Sequence, residues 1–275
     1  LPDENIGEME SKGIEFQVGY RQNFGELNFR VSGNYSFNDN TVIFFDEVPQ
    51  AEPYQKQEGR QFGSQLVYNA IGIYRTQADL DNNVNYPNAA IGGLIFADLN
   101  DDGVIDGNDR YRFNTNPFPR SQFGMTIGLD YKNFDLTMLL QGQDGGKFRL
   151  DNGFNSGAGG NGLAYVAQNS FDLDNTDAVL PRIRPVGFPA ENNDFWYHNA
   201  TWLRFKSAEL GYSLPNELAG KIGISGVRFY LSGENLFLIY NNLARFGAGD
   251  PEFLSGKGGT YPNMRSLGFG LNLTF

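Results

Sequence analysis

Long stretches of the chain alternate strictly between apolar and polar residues, which is the pattern of β-strands with one apolar face. The cleanest stretch closes the chain, where Leu267, Phe269, Leu271, Leu273 and Phe275 alternate with small polar residues and glycine. Six further stretches have the same period, at 12–22, 26–37, 121–132, 134–143, 201–212 and 226–238. The pattern predicts an all-β fold of about seven long antiparallel strands.

One stretch changes phase part-way along its length. Leu203 and Phe205 begin one alternation, but Ala208 and Leu210 continue in the opposite one. An extra residue in one strand restores the alternation after such a change. We therefore predict a β-bulge near residues 206–207.

The length of the strands separates two architectures that share this pattern. A run of about 11 residues rises about 36 Å, and at a tilt of about 40° it spans about 27 Å, close to the hydrocarbon thickness of a bilayer. Strands of soluble sandwiches usually end after about 5–6 residues. Strand length, glycine-rich polar faces and the terminal Phe275 favour a transmembrane barrel. On this interpretation Arg30, Arg228 and Glu234 lie on the polar face and line a wet lumen.

The connections between strands are short on one side and long on the other. Three pairs of strands are joined by short turns, whereas polar segments of roughly 80, 50 and 25 residues join the rest, as in outer-membrane barrels. We expect the segment 38–119 to be a large extracellular excursion that adds an even number of crossings or none, with Gln61–Arg75 ordered in it. Seven strands with two free edges do not close a barrel, so we expect residues 1–275 to be the C-terminal part of a larger one.

Composition excludes several classes of function. The formal net charge of −11 disfavours a nucleic-acid partner. The chain has no cysteine and a single histidine, which excludes disulfides, thiolate metal sites and mechanisms with two imidazoles. No catalytic arrangement has the required spacing, so we predict no enzymatic activity and no catalytic residues. No run of about 18 apolar residues predicts a transmembrane helix.

An acidic loop at 98–109 has the spacing of a calcium-binding loop. Gly103 occupies the position of the tight turn, and the oxygen ligands would be Asp98, Asn100, Asp102, the carbonyl of Val104, Asp106 and Asp109. Aspartate rather than glutamate at the last position shortens the bidentate arm. The alternative is an acidic loop whose side chains cap local backbone. We expect Ca²⁺ to bind here as a structural ion that pins the excursion.

Aromatic residues are densest just before the strand at 201–212. Trp196, Tyr197 and His198 are flanked by Phe195 and Trp202. This cluster could stack against a ligand at the mouth of a pore. The alternative is the interfacial aromatic girdle of a membrane barrel, which the position favours.

Five segments, taken in order, resemble the C-terminal region of SusC/RagA-type TonB-dependent outer-membrane transporters. They lie at 5–15, 96–106, 202–206, 210–215 and 231–237, and the chain then ends in phenylalanine. The resemblance covers most of the chain. It implies a barrel of about 22 strands with an N-terminal plug.

The resemblance also implies a function, a location and partners. It implies TonB-dependent import of an oligosaccharide or oligopeptide across the bacterial outer membrane, in contact with lipid and with a SusD-like surface lipoprotein. Contact with the TonB complex would be made by an N-terminal region outside this chain, and Phe275 resembles the signal read during barrel assembly. Two alternatives remain: a soluble secreted carbohydrate-binding β-sandwich with a calcium loop, and a passive porin-like channel.

Overall fold

The structure is a computed structural model that describes residues 7–150, 164–183, 192–221, 223–247, 249–252 and 263–275. Its strands are β1 (Gly7–Phe24), β2 (Leu27–Phe45), β3 (Gln65–Tyr68), β4 (Ala70–Ile73), β5 (Leu94–Phe96), β6 (Arg110–Phe113), β7 (Ser121–Tyr131), β8 (Phe134–Asp144), β9 (Lys147–Arg149), β10 (Tyr197–Asn199), β11 (Trp202–Ser213), β12 (Gly226–Asn241) and β13 (Ser266–Thr274). The short helices are α1 (Gln77–Asn82), α2 (Ala164–Asn169) and α3 (Asn216–Gly220). Within these parts of the chain, no helix has the length and apolar character needed to cross a membrane.

Seven strands form one antiparallel sheet in the order β1-β2-β7-β8-β11-β12-β13. Each long strand pairs with the next long strand along the chain, which confirms the seven predicted strands. The first two strands are longer than predicted, with 18 and 19 residues. Because β2 pairs with β7 only as far as Phe37, the remainder of β1 and β2 extends beyond the sheet as a two-stranded ribbon.

Two of the short turns depend on a residue with positive φ. Gly25, between β1 and β2, has φ of 62°, and Lys132, between β7 and β8, has φ of 53°. Left-handed backbone at such a position matches the twist of an antiparallel hairpin. Glycine adopts it without steric cost, whereas lysine adopts it against its intrinsic preference.

The apolar face of the large sheet is exposed. The exposed fraction of Leu231 on β12 is 58% and that of Leu210 on β11 is 45%, although both strands lie inside the sheet. The other sheets among the described residues have only two strands each. A soluble β-sandwich would bury this face against a second sheet of similar size, so the sandwich interpretation is not supported.

The predicted bulge in β11 is present. The register of β11 shifts between Phe205 and Ser207 against both neighbouring strands, β8 and β12. Against β8, the two steps from Phe205 to Ser207 face one step, from Leu140 to Leu139, so the extra residue on that side belongs to β11. Against β12 they face three steps, from Phe237 to Glu234, so the extra residue on that side belongs to β12. The extra residue in β11 allows Phe205 and Leu210 to lie on the same face although their separation in the chain is odd.

The excursion between β2 and β7 adds no strand to the large sheet. Its strands form two separate pairs, β3 with β6 and β4 with β5, and Gln61–Arg75 is ordered there as predicted. The buried hydrophobic residues of the protein lie mainly in these connecting segments. One cluster contains Tyr68, Ile73, Leu94, Phe96, Ile105, Phe171 and Ala178, and the other contains Leu150, Val166, Leu180, Trp196, Ala200, Leu243 and Phe246.

Candidate functional site

The polar face of the large sheet carries an ion pair that spans three strands. Arg228 on β12 reaches across β11 to Asp135 on β8, with Arg228 Nε 3.0 Å from Asp135 Oδ1. The same guanidinium donates to Glu209 of β11 at 2.8 Å. Gly211 lies beneath this bridge, and a Cβ atom there would collide with both Arg228 and Asp135. Because glycine has no Cβ atom, it leaves the space in which the Arg228 side chain crosses β11.

A second ion pair follows the same principle nearer the edge of the sheet. Arg30 on β2 makes two bonds to Asp130 on β7, of 2.9 and 3.1 Å. Its direct neighbour in register is Gly128, which leaves the guanidinium room to lie flat on the sheet. Charge-assisted bidentate pairs of this kind are the strongest hydrogen bonds between side chains. The predicted placement of Arg30 and Arg228 on the polar face is confirmed.

At the other end of β11, a buried arginine holds the connection between β12 and β13. Arg204 is 3% exposed and pairs with Asp250 and, at 3.7 Å, with Glu252. Lys206 donates to Glu252 at 2.9 Å, and the Arg204 guanidinium lies 5.6 Å from the centre of the Trp202 ring. Sequence reasoning missed this cluster, since the two acidic residues are far from β11 in the chain. The signal was two cations at alternate positions of one strand.

The predicted calcium loop is organised by hydrogen bonds to its own backbone. Asp98 Oδ2 accepts from the amide of Gly103 at 2.8 Å, and Asp98 Oδ1 accepts from the amide of Asp102 at 3.2 Å. Asp102 in turn accepts from Val104 N at 2.9 Å, and Asn100 Nδ2 donates to Asp102 at 2.8 Å. These bonds form a series of Asx turns, as the alternative interpretation expects.

The last predicted ligand closes the loop. Asp109 is fully buried, and its two oxygens accept from the amides of Leu99, at 2.7 Å, and Asp106, at 2.8 Å. Tyr54 adds an outer bond to the carbonyl of Asn108 at 2.8 Å. Across the described residues, no group of three or more histidine, cysteine or acidic side chains is arranged to hold a metal ion. Calcium binding would require the loop oxygens to turn toward a common point, and the calcium site stays a prediction.

The three aromatic residues predicted as possible ligand contacts lie at β10: Trp196 directly precedes this strand, and Tyr197 and His198 belong to it. Trp196 packs in the hydrophobic cluster of Leu150, Val166, Leu180, Ala200, Leu243 and Phe246, which we call the loop cluster. Trp196 is 7% exposed and Trp202 is 2% exposed, so neither faces lipid, contrary to the girdle interpretation. Packing of the connecting segments over them removes them from the surface. Tyr197 is partly buried, and its hydroxyl lies 3.5 Å from side-chain oxygens of Gln65 and Asn192. A role for Trp196, Tyr197 and His198 in ligand binding stays a prediction.

The single histidine is held in its neutral form. Burial lowers the pKa of His198 to about 4, and the charges of Arg245 and Lys147 act in the same direction. Its ring centre lies 4.5 Å from that of Phe246. Burial also lowers the pKa of Lys147, whose Nζ donates to Asn199 at 2.7 Å. The environment is therefore apolar and cationic, which suits packing rather than acid–base chemistry.

One carboxylate joins the excursion to the segment that contains the aromatic cluster. Asp194 accepts from the amide of Ala70 and from the hydroxyl of Tyr111, each at 2.8 Å. Burial and the bond to Asp194 raise the pKa of Tyr111. The two connecting segments are thus fastened to each other above one end of the large sheet.

Comparison with known proteins identifies similar chains. No protein-family profile matches the chain. It is 28% identical over 306 residues to the TonB-dependent receptor P3 of Formosa agariphila. The match covers 99% of this chain and 29% of that receptor. It is 25% identical over 279 residues to the TonB-dependent receptor SusC of Bacteroides thetaiotaomicron, covering 99% of this chain and 27% of SusC.

Solved structures show the same fold. The RagAB peptide importer in its closed-closed state superimposes with a TM-score of 0.71 at 20% identity, over 98% of this chain and 30% of that one. The open-open state of the same importer gives a TM-score of 0.68 at 19% identity. The all-β barrel-wall fold predicted from the sequence is therefore confirmed. The chain spans less than a third of the length of each relative.

Proposed function

We propose that this chain, which is similar over nearly its whole length to TonB-dependent receptors of the SusC and RagA type, forms part of the wall of an outer-membrane importer. One observation carries the proposal: the large sheet exposes its apolar face and places its ion pairs on the opposite face. In a bilayer the apolar face meets lipid and the charged face meets water in the lumen. In water the same apolar face would cause aggregation.

The nutrient is an oligosaccharide or an oligopeptide, and import proceeds with a SusD-like surface lipoprotein and energy from the TonB complex. Support comes from the relatives, which include SusC and the RagAB peptide importer. Receptors and importers rather than enzymes are the proteins that the chain resembles. The relatives P3 and SusC are TonB-dependent receptors, which favours TonB-dependent transport over a passive porin-like channel. Within the chain, the wall supplies a wet polar surface whose arginines are held in pairs.

A pair of arginine substitutions on adjacent residues of β12 tests the orientation of the wall. Leu231 lies on the exposed apolar face, whereas its neighbour Ser232 lies on the polar face and pairs in register with Glu209 and Gly268. Arginine on the lipid face near mid-membrane costs about 2–4 kcal/mol. We expect Leu231→Arg in the full-length protein to lower the amount assembled in the outer membrane, and Ser232→Arg to leave it unchanged.

The measurement is the amount of folded protein in washed outer membranes, together with its solubility without detergent. In a water-soluble protein an exposed leucine is replaced by arginine at almost no cost. Equal levels of both variants, in a protein that stays soluble without detergent, would contradict the proposal.

A further inference from the structure

Four carboxamide side chains lie together on the polar face of the large sheet, in the half that adjoins the long connecting segments. They belong to the internal strands β2, β7 and β8. In one row across these strands, Asn34 pairs with Gly124, which pairs with Gln141. In the next row, Gln122 pairs with Gln143. We call Asn34, Gln122, Gln141 and Gln143 the carboxamide surface.

The side chains of the carboxamide surface face open space. Asn34, Gln122 and Gln141 are exposed, and Gln143 is partly buried. None of the four side chains makes a hydrogen bond to another residue in the described parts of the chain. Gly124 leaves room for the Asn34 side chain, because a Cβ atom there would lie 2.7 Å from Asn34 Oδ1. The four amides therefore have donors and acceptors to offer to another molecule.

Buried residues border the carboxamide surface on one side. Gln141 pairs in register with Arg204 of β11, and Gln143 pairs with Trp202. These two neighbours are only 3% and 2% exposed, and Asp250 of the connection between β12 and β13 pairs with Arg204. The proposed function places the long connections outside the cell, so the carboxamide surface lies near the outer mouth of the lumen.

The strands β2, β7 and β8 carry no charged residue in this part of their polar face. The remaining residues of the two rows on these strands are Ser36 and Gly124, and the next row consists of Ser32, Thr126 and Leu139. The half of the face nearer the short turns carries the ion pairs of Arg30 and Arg228 instead. In a chain with 21 basic and 32 acidic residues, an uncharged area across three strands favours an uncharged ligand.

The chemistry of the carboxamide surface fits hydroxyl groups. A carboxamide both donates and accepts hydrogen bonds, and a hydroxyl group does the same. A carboxylate or sulfate ester would instead be bound by cations, and none lies in the two rows on these strands. A peptide binds through its backbone at a free sheet edge, whereas β2, β7 and β8 are internal strands with both edges paired.

We propose that the carboxamide surface is a contact site for the imported nutrient, and that this nutrient is an uncharged oligosaccharide bound through its hydroxyl groups. The inference rests on the proposed function and narrows it, because it selects one of the two classes of nutrient. Each contact exchanges hydrogen bonds to water for bonds to the sugar, so each contributes little net free energy. Weak contacts of this kind let the sugar leave the wall again during import.

Binding of defined probes to the full-length protein, isolated in detergent from outer membranes, tests the ligand class. The probes are uncharged gluco-, xylo- and manno-oligosaccharides, oligogalacturonates, and a mixed peptide library, all of matched length. Affinity selection with mass spectrometry identifies the bound probes, and calorimetric titration measures their affinity. We expect an uncharged oligosaccharide to bind and to be selected over the oligogalacturonates and the peptides.

Substitutions in the carboxamide surface locate the binding. Gln122→Glu and Gln141→Glu keep the shape of the side chain but replace the donating amino group by an oxygen, and Gln141→Ala removes the amide without adding charge. We expect each to weaken binding of the uncharged oligosaccharide about tenfold, with unchanged amounts of protein in washed outer membranes. Asn272→Asp is the matched control, because Asn272 lies on the same face of the sheet, on β13 beside Arg228.

The outcomes separate this inference from the proposed function. Selection of oligogalacturonates or peptides, binding of no probe, or equal affinity of the glutamine variants and the control would overturn the inference. If one of these results occurs while Leu231→Arg fails to assemble, the inference is wrong and the proposed function stands. Normal assembly of Leu231→Arg in a protein that stays soluble without detergent would overturn both.

Discussion

Glycine and long polar side chains complement each other on the polar face of the wall. Gly124 lies beside the Asn34 side chain, Gly128 beside Arg30, Gly211 beneath Arg228 and Gly270 beneath the ring of Tyr230. Because each long side chain lies flat on the strand next to it, a Cβ atom at the facing position would meet it. The glycine-rich faces thus have a packing role in addition to leaving a wet lumen.

Gly211→Ala tests this role. The added methyl group collides with the bridge from Arg228 to Asp135, and overpacking of this kind typically costs about 1–3 kcal/mol. We expect a lower free energy of unfolding in denaturant titrations of the detergent-solubilised protein. Gly226 on β12 lies on the same face of the large sheet as Gly211. A Cβ atom there meets only ordinary contacts with Thr274, so Gly226→Ala serves as the control. Equal stability of the two variants would show that the Arg228 side chain reaches Asp135 without needing the space above Gly211.

We propose that the acidic loop at 98–109 binds Ca²⁺, and adjacent residues allow a matched test. Asp102→Asn removes one negative charge but keeps an oxygen that can accept from Val104 N. Asp101→Asn makes the same change at an exposed neighbour outside the predicted ligand set. Because calcium affinity depends on the number of charged ligands, we expect Asp102→Asn to weaken calcium binding about tenfold in calorimetric titration, with the control unchanged. Absence of calcium binding by the unmodified protein would contradict the proposal.

At the scale of the elements, short strands join connecting segments that are far apart in the chain, as β9 and β10 show. β9 pairs with β10 through Lys147, Phe148 and Arg149, which brings residues about fifty positions apart into one small sheet. Its neighbour in the loop cluster is the 3-10 turn at Ala244–Phe246, where Phe246 packs on His198. The ring of His198 is therefore a contact between two connections of the large sheet.

The lowered pKa of His198 makes this contact sensitive to acid. The unfolded form titrates near pH 6.5 and the folded form near pH 4, so between these values the unfolded state binds more protons. Stability of the loop cluster is then constant above about pH 6.5 and falls as the pH drops toward about 4.

Hydrogen exchange measures this loss. We expect amide exchange in residues 195–200, corrected for the intrinsic rate, to accelerate on the order of tens-fold between about pH 7.5 and about pH 4.5. His198→Phe keeps an aromatic ring against Phe246 but cannot titrate, so its exchange should change much less. The same acceleration in both proteins would show that another group is responsible.

At the scale of the whole molecule, the buried hydrophobic residues and the ordered strands lie in different places. The long strands form a single sheet with an exposed apolar face, whereas the hydrophobic clusters belong to the connecting segments. A water-soluble domain would place its core against its sheet. This division follows if lipid covers the sheet and water surrounds the loops, as the proposed function requires.

Phe275 belongs to this scale because its predicted role concerns assembly of the entire barrel. It follows β13 on the same face as Leu271 and Leu273 and is 86% exposed. Deletion of Phe275 should lower the amount of protein in washed outer membranes several-fold, since the predicted assembly signal is lost, while Phe275→Trp keeps an aromatic ring at this position and should assemble normally. Normal levels of the deletion variant would contradict the assembly role.

The sequence by itself determined the seven strands, their faces and the bulge in β11, because alternation is a local property that each strand carries in its own residues. It also placed Arg30 and Arg228 on the polar face. Only the tertiary structure decided that Arg228 crosses β11 to Asp135, that Arg204 meets Asp250, and that Trp196 is buried. These contacts depend on register and on the return of long connections, which bring together residues whose positions in the chain contain no periodic signal.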